Sequence, residues 1–285
     1  MDEPRLLAAH ERPDGLDDLR RPPTRLWTRG ALPASPSVAI VGTRRADAAS
    51  CRFARALASD LARAGFAIVS GGADGVDEAA HEGALDADGR TLVVLPTPLT
   101  RPYPPRSRPL FERVLASGGG WLSERAPDEP SHKAHFLMRN RLIAAIADAT
   151  VVVQAPHKSG ALSTARWADK LERPLFAVPA SPWDRRAAGN VALLRRGARV
   201  CTGAADVAEA LGRRVPRRPP RARTPAALLD PPQRAVLEAL GPQPSPVHAI
   251  VDATGLGVVA VRVALVQLAA RDLADQRPEG WLAVA

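Results

Sequence analysis

The feature that most constrains the fold is an alternation of short β-branched runs with Ala-rich segments of helical period. Apolar runs typical of buried strands lie at residues 38–41, 67–69, 91–95, 120–122, 151–153 and 175–178. Segments with helical periodicity lie between them, at 50–64, 76–85, 109–116, 139–147 and 162–171. This alternation is typical of a parallel sheet covered by helices on both faces. We therefore predict an α/β domain over residues 31–211: Rossmann-like, doubly wound, with a mostly parallel sheet.

A change of composition separates this domain from the C-terminal part of the chain. Residues 212–225 interleave arginine with proline, which favours an extended, charged linker. Three helical patterns follow, at 231–240, 246–254 and 258–275, and an apolar stretch at 280–284 completes the chain. This order predicts a small winged-helix domain over residues 226–285. Residues 1–30 are expected to form an N-terminal extension leading into the α/β domain.

The charge balance points to an acidic partner. The formal net charge is +9 at pH 7, and nucleic acid is the usual partner of so basic a protein. A GC-rich genome that favours arginine would produce the same charge without any ligand. Cys51 and Cys201 fit no metal-binding spacing and are expected to be reduced thiols. With no signal-like or membrane-spanning apolar run, we expect a cytoplasmic protein that does not contact a membrane.

Glycine-containing loops follow three of the predicted strands and precede helices. In an open parallel sheet, ligands bind beyond the carboxyl ends of the strands. Glycine lets backbone N–H groups approach an anion, and a helix N-terminus favours phosphate. Each loop could instead be a simple tight turn, but three together favour a phosphate-binding surface. Its predicted members are Gly42, Thr43, Arg44, Arg45, Gly71, Gly72, Ser159 and Gly160.

The segment 135–141 (HFLMRNR) carries a second group of candidates at the start of a predicted helix. Arg139, Asn140 and Arg141 offer charge and hydrogen bonds to phosphates or base edges, and Lys133 lies just upstream. Phe136 could stack on an extruded base. The alternative is a core phenylalanine beside a solvated arginine face.

Other chemistries find less support in the sequence. The Walker pattern is absent, and the loops after the first two strands do not fit a dinucleotide fingerprint. His132 and His135 lack a third metal ligand, so neither a metal nor a cofactor is expected. Asp77 and His81 lie four residues apart at a helix start, where general acid–base catalysis remains a minor alternative.

Together these motifs resemble the DprA/Smf family of DNA-processing proteins. The matching segments are 22–30 (PPTRLWTRG), 38–44 (VAIVGTR), 68–81 (IVSGGADGVDEAAH), 103–104 (YP), 123–124 (SE), 139–144 (RNRLIA) and 159–165 (SGALSTA). The resemblance covers roughly residues 12–211, and the predicted winged helix resembles the family's optional C-terminal domain. Asp74 departs from the pattern, because the family usually has a basic residue there.

The resemblance implies a binding protein rather than an enzyme. By it, the chain would bind single-stranded DNA, protect incoming strands, load the RecA recombinase in natural transformation, and form a homodimer through the Rossmann-like domain. Gly42, Thr43 and Arg44 would hold a backbone phosphate with Gly71 and Gly72 beside them. The nucleotide pocket would be lined by Lys133, Phe136, Arg139 and Arg141, and closed by Ser159 and Gly160.

Two functional hypotheses from other classes stay open. One is an enzyme that resembles the phosphoribohydrolases of the same Rossmann-like superfamily, although the stretch 158–167 lacks the carboxylate that their loop carries. The other is a regulatory sensor that binds a small nucleotide.

The predicted winged helix lacks the features of a domain that reads DNA sequence. Acidic residues outnumber basic ones from residue 226 onward, and residues 258–261 (VVAV) offer no base-reading side chain. We therefore expect that domain to contact protein rather than to read DNA sequence.

Overall fold

The computed structural model describes residues 3–32, 36–215, 229–241, 243–271 and 273–284. The chain divides into two compact units, Met1–Pro216 and Arg217–Ala285. Most of the predicted linker, from residue 216 to 225, lies outside the described residues.

In the described part of the first unit, nine strands form one sheet in the order β1-β2-β6-β5-β4-β3-β7-β8-β9. The strands are β1 (Arg5–Leu6), β2 (Trp27–Gly30), β3 (Ser37–Val41), β4 (Ala67–Ser70), β5 (Thr91–Val94), β6 (Gly120–Ser123), β7 (Ala149–Val152), β8 (Leu175–Ala177) and β9 (Arg199–Val200). The strands from β6 to β9 in this order pair in parallel, whereas β1 with β2 and β2 with β6 pair antiparallel. The prediction of a mostly parallel, Rossmann-like sheet is confirmed.

Helices cover both faces of this sheet. They are α1 (Ala48–Arg63), α2 (Val76–Leu85), α3 (Arg108–Ala116), α4 (Lys133–Met138), α5 (Asn140–Ile146), α6 (Ala161–Lys170), α7 (Ala188–Arg195) and α8 (Ala204–Ala210). Alternate residues of β3 enter opposite cores: Val38 and Ile40 pack with α1, α2 and α8, while Ala39 and Val41 pack with α5 and α6. Burial on both faces explains why these strands read as continuous apolar runs.

Residues 3–30 belong to the same sheet and core as the α/β domain. Strand β2 pairs with β6, and the Thr28 hydroxyl donates a hydrogen bond to the Trp121 carbonyl at 3.0 Å. Leu7, Leu16 and Leu26 are buried in the core that contains α5 and α6. The structure therefore makes this predicted extension part of the α/β domain, because its strand β2 pairs with β6 and its leucines pack against helices much further along the chain.

The second unit is the winged-helix domain, built from helices α9 (Pro231–Ala239), α10 (Val247–Thr254) and α11 (Val258–Ala270) and an antiparallel hairpin of β10 (Ala274–Arg277) and β11 (Gly280–Ala283). The last helix was predicted to run to residue 275 and ends at Ala270 instead. Residues 274–277 pair with 280–283, and this cross-strand pairing satisfies their backbone groups better than one more exposed helical turn. The outer face of α11 leaves Val259, Val263 and Val266 at least half exposed.

Both cysteines are free thiols, and burial raises the pKa of Cys201 to about 12. Within the described residues no single helix is long and apolar enough to cross a membrane. Helices α10 and α11 meet that criterion only when they are counted together, across a bend of 108°.

The close packing of α1 against α2 generates a test of the fold. A methyl group added at Gly83 would collide with the Arg55 backbone carbonyl of α1, so Gly83→Ala should lower the free energy of unfolding by about 1–3 kcal/mol. Urea denaturation measures this. Gly160→Ala is the matched control: Gly160 has helical backbone angles and open space around it, and a comparable loss there would contradict the packing argument.

Candidate nucleic-acid interface

The carboxyl edge of the sheet carries two adjoining cavities. Strand order reverses at β3, whose neighbours are β4 on one side and β7 on the other. The loops that follow β3 and β7 enclose a cavity of about 320 Å³ at this switch point. A larger cavity of about 730 Å³ lies beside it, between the loop after β5 and the start of α4. Their position is the one expected for ligand binding in an open parallel sheet.

Most of the predicted site residues line the cavity at the switch point. They are Gly42, Thr43, Arg44, Arg45, Phe136, Arg139, Asn140, Ser159 and Gly160. Lys133 lines the larger cavity. Asn140 is buried and donates a hydrogen bond to the Gly160 carbonyl at 3.1 Å, which fixes the loop after β7 against α5. Asn140 therefore positions the cavity wall.

Phe136 and Arg44 stand between the two cavities and line both. The Arg44 guanidinium lies over the Phe136 ring, 5.5 Å from its centroid, and Tyr103 packs edge-on against the same ring at 5.3 Å. This geometry is that of a cation–π pair with a T-shaped aromatic neighbour. Tyr103 is 44% exposed, so the group presents aromatic surface and charge to the cavities together.

Cations dominate the charged groups around the larger cavity. Besides Arg44 and Lys133 it is lined by Arg101 and Arg108, which the sequence analysis did not select. Arg101 lies within the Pro-rich loop that follows β5, and Arg108 is the first residue of α3 after it. The sequence signal that could have found them is the position of this loop after a strand that ends at the carboxyl edge. Aromatic rings beside several cations suit a ligand with phosphates and flat bases.

Arg139, which was expected to line the nucleotide pocket and to bond phosphates or base edges, lines the cavity at the switch point but is largely buried. Arg139 is 7% exposed, and its Nη1 donates to the Val94 carbonyl at 2.5 Å. Burial lowers the pKa of Arg139 to about 10, against the opposing effect of Asp77. Arg139 therefore remains protonated at neutral pH although its side chain is buried.

A buried carboxyl group lies behind the loops that were expected to hold a phosphate. Asp77 is 6% exposed, and its carboxyl accepts a hydrogen bond from the Ala73 N–H at 3.4 Å. Burial raises the pKa of Asp77, while the charge of Arg139 acts in the opposite direction. Asp77 and Arg139 both line the cavity at the switch point, so its inner wall is polar.

Gly72 and Arg141, which the sequence analysis placed in the site, line neither of the two cavities. A Cβ at Gly72 would approach the Phe111 ring at 2.7 Å, so this glycine serves packing. Arg141 Nη2 donates to Glu124 Oε1 at 2.5 Å, and Arg141 borders a separate apolar groove with Leu19 and Trp167. We leave Gly72 and Arg141 out of the proposed interface. Gly71 borders only a small cleft, where a Cβ would collide with the Arg139 guanidinium.

His81 is also enclosed in the core. Its Nδ1 lies 2.8 Å from the Thr91 hydroxyl, which itself donates to the Ile68 carbonyl, so Nδ1 carries the proton. Burial lowers the pKa of His81 to about 3. Among the described residues, no cluster of three or more His, Cys, Asp or Glu is arranged to hold a metal ion.

Asp74, the departure noted in the sequence, is neutralised in the structure. Arg106, from the loop before α3, donates from Nε to Asp74 Oδ1 at 2.7 Å and makes a second contact to the other carboxylate oxygen. The hydrogen bond to Asp74 raises the pKa of Arg106. The acidic side chain at this edge is therefore paired with a cation from a neighbouring loop.

The fold and this edge define an α/β protein of the Rossmann-like type with a C-terminal winged-helix domain. A family model described as DNA recombination-mediator protein A matches residues 5–212, and one described as DprA winged helix domain matches residues 219–280. The chain belongs to the DprA/Smf family of DNA-processing proteins.

Relatives and solved structures agree with this assignment. A putative DNA processing protein DprA of Mycobacterium tuberculosis is 38% identical over 266 residues, covering 91% of this chain and 68% of that protein. Protein Smf of Synechocystis sp. is 34% identical over 274 residues, covering 85% of this chain and 69% of that protein. DNA processing protein A of Helicobacter pylori, described for its single-stranded DNA binding mode, has a TM-score of 0.66 at 34% identity and covers 74% of this chain and 98% of its own. The X-ray structure of DprA from Streptococcus pneumoniae has a TM-score of 0.65 at 31% identity, with 71% and 72% covered.

The buried position of Arg139 predicts a stability defect. Arg139→Ala removes the charge that opposes Asp77 and the donor to Val94, so the free energy of unfolding should fall by about 3 kcal/mol. Chemical denaturation measures this, with exposed Arg44→Ala as the control that should change stability by less than about 0.5 kcal/mol. Equal stability of Arg139→Ala and the wild type would contradict the buried role.

Proposed function

We propose that this chain binds single-stranded DNA across the two cavities at the carboxyl edge of its sheet. The observation that carries the proposal is the group formed by Arg44, Phe136 and Tyr103 between them. Bases can stack on aromatic rings whatever their sequence, and the surrounding cations match a phosphodiester backbone. The single-stranded DNA binding mode described for the Helicobacter pylori relative supports the same ligand class.

Contacts to the phosphodiester backbone of the DNA are proposed to come from protein side chains on both sides of Phe136. Lys133, Arg101 and Arg108 serve the larger cavity, and Arg45 and Lys158 serve the cavity at the switch point. Loop residues Thr43, Ser159 and Gly160 complete its wall. Affinity should depend on these cations and therefore on salt.

We further propose that the bound strand is protected and handed to the RecA recombinase during DNA processing or natural transformation. The description of the matching family as a recombination mediator supports this step. A homodimer formed through the Rossmann-like domain is part of the same proposal, by resemblance to the family. The proposed role is binding, and His81 gives little support to the acid–base alternative, because it is fully buried and burial lowers its pKa to about 3.

Fluorescence anisotropy of labelled oligo-dT across a salt series tests the proposed ligand. We expect single strands to compete better than matched duplex or AMP, and the affinity to fall with salt by a slope near −0.7 per phosphate contacted. Preferential binding of AMP, with no binding of oligo-dT at low salt, would contradict the proposal and favour a nucleotide sensor or a phosphoribohydrolase-like enzyme.

Arg44→Ala should weaken oligo-dT binding roughly tenfold and reduce the salt slope, because one charge-assisted phosphate contact and the cation over Phe136 are lost. Arg90→Ala is the matched control, since Arg90 is an exposed arginine directly before β5, at the opposite edge of the sheet. The site assignment fails if the two variants bind alike.

The pair of Asp74 and Arg106 makes a separate prediction. Arg106→Ala leaves the Asp74 carboxylate uncompensated beside Arg44 and Tyr103, so oligo-dT binding should weaken roughly two- to fivefold. Adding Asp74→Asn to that variant should restore most of the loss. Additive weakening in the double variant would show that Arg106 acts through its own contact with DNA rather than through Asp74.

A further inference from the structure

Trp183 is the most exposed of the large hydrophobic residues in the described part of the chain. Its side chain is 83% exposed, in the loop that follows β8. The loop emerges at the carboxyl edge, as the loops of β3 and β7 do, because these strands are parallel neighbours. Two strand spacings, roughly 10 Å, separate β8 from β3. The tryptophan thus lies on the same edge as the two cavities, on the side away from the larger one.

Ion pairs fix the Trp183 loop to the arginine-bearing loop of β3. Arg186 Nη1 lies 3.3 Å from Asp47 Oδ2, and the Arg186 backbone N–H donates to Asp184 Oδ1 at 2.9 Å. Asp47 in turn accepts from the Ser50 N–H at 2.8 Å and from Gln154 Nε2 at 2.7 Å. The loops after β3, β7 and β8 therefore share one hydrogen-bonded support.

The charges around Trp183 favour an anionic partner. Arg186 is engaged with Asp184 and Asp47, whereas Arg185 is exposed and makes no ion pair among the described residues. Arg185 lies two residues after Trp183 in the same loop, so the loop offers an exposed indole and an exposed guanidinium, which suit a base and a neighbouring phosphate. A purely apolar partner would leave the Arg185 charge without a counterpart.

We propose that Trp183 and Arg185 form a second stacking station for single-stranded DNA, which extends the interface from the β3 and β7 loops onto the β8 loop. This inference rests on the proposed function, since it assigns a further contact to the same ligand. Trp183 stacks on a base and Arg185 meets an adjacent phosphate. Arg186 is a positioning residue that holds the loop to Asp47.

The test compares oligo-dT of increasing length, from roughly 4 to 16 nucleotides. Trp183→Ala should bind the shortest strands like the wild type and the longest strands roughly fivefold or more weakly, because only long strands reach the β8 loop. Trp183→Phe keeps an aromatic ring and should retain most of the affinity. Trp183→Phe should also lose most of the quenching of tryptophan fluorescence that we expect when long strands bind the wild type.

The outcomes separate this inference from the proposed function. Leu6→Ala removes another exposed apolar side chain, in β1 at the far end of the sheet, and should bind every length like the wild type. If the wild type and Leu6→Ala bind long strands and Trp183→Ala binds them equally well, the stacking station is overturned. If the wild type binds no strand, the proposed function itself fails.

Discussion

The carboxyl edge of this sheet is organised around one buried carboxyl group. Asp77 accepts a hydrogen bond from the Ala73 N–H in the loop after β4. Burial raises the pKa of Asp77, and the charge of Arg139, which donates to the Val94 carbonyl at the end of β5, acts in the opposite direction. The loop after β4, the end of β5 and the junction of α4 with α5 are thereby connected from within. Because Asp77 and Arg139 are enclosed in the protein, recognition of an external anion passes to exposed cations at the rim, such as Arg44.

This arrangement explains why the surface contacts come from several loops. Cations on α4, on the loops after β3 and β5, and on the loop after β7 surround Phe136, and each is exposed enough to meet solvent. Asp74 would weaken such a surface, but Arg106 pairs with it. The edge thus keeps an excess of positive charge although it contains acidic side chains. Charge compensation between neighbouring loops can preserve a binding surface when a single position changes sign.

Local pattern was enough to predict the parallel strands from β3 to β8 and most helices, because continuous apolar runs and glycine punctuation are local signals. It missed β9, a two-residue parallel strand with no apolar run. It was also enough to gather Arg44, Phe136 and Ser159 at one edge, since parallel strands end on the same side. Pairings between distant residues could not be predicted in this way. Strand β2 pairs with β6, Tyr103 packs against Phe136, and Arg139 reaches the Val94 carbonyl only in the folded chain. Arg139 and Arg141 looked alike in sequence; the structure buries Arg139 and pairs Arg141 with Glu124, whereas Arg44 stays exposed between the two cavities.

The carboxylate of Asp47 has a thermodynamic consequence. It is shared by the N-terminus of α1, by Gln154 after β7 and by Arg186 after β8. Loops tied in this way are preorganised, and binding a strand across them would immobilise few protein groups. The conformational entropy lost on association then falls mainly on the nucleic acid. Affinity at this edge should therefore follow the stiffness of the strand more closely than any rearrangement of the protein.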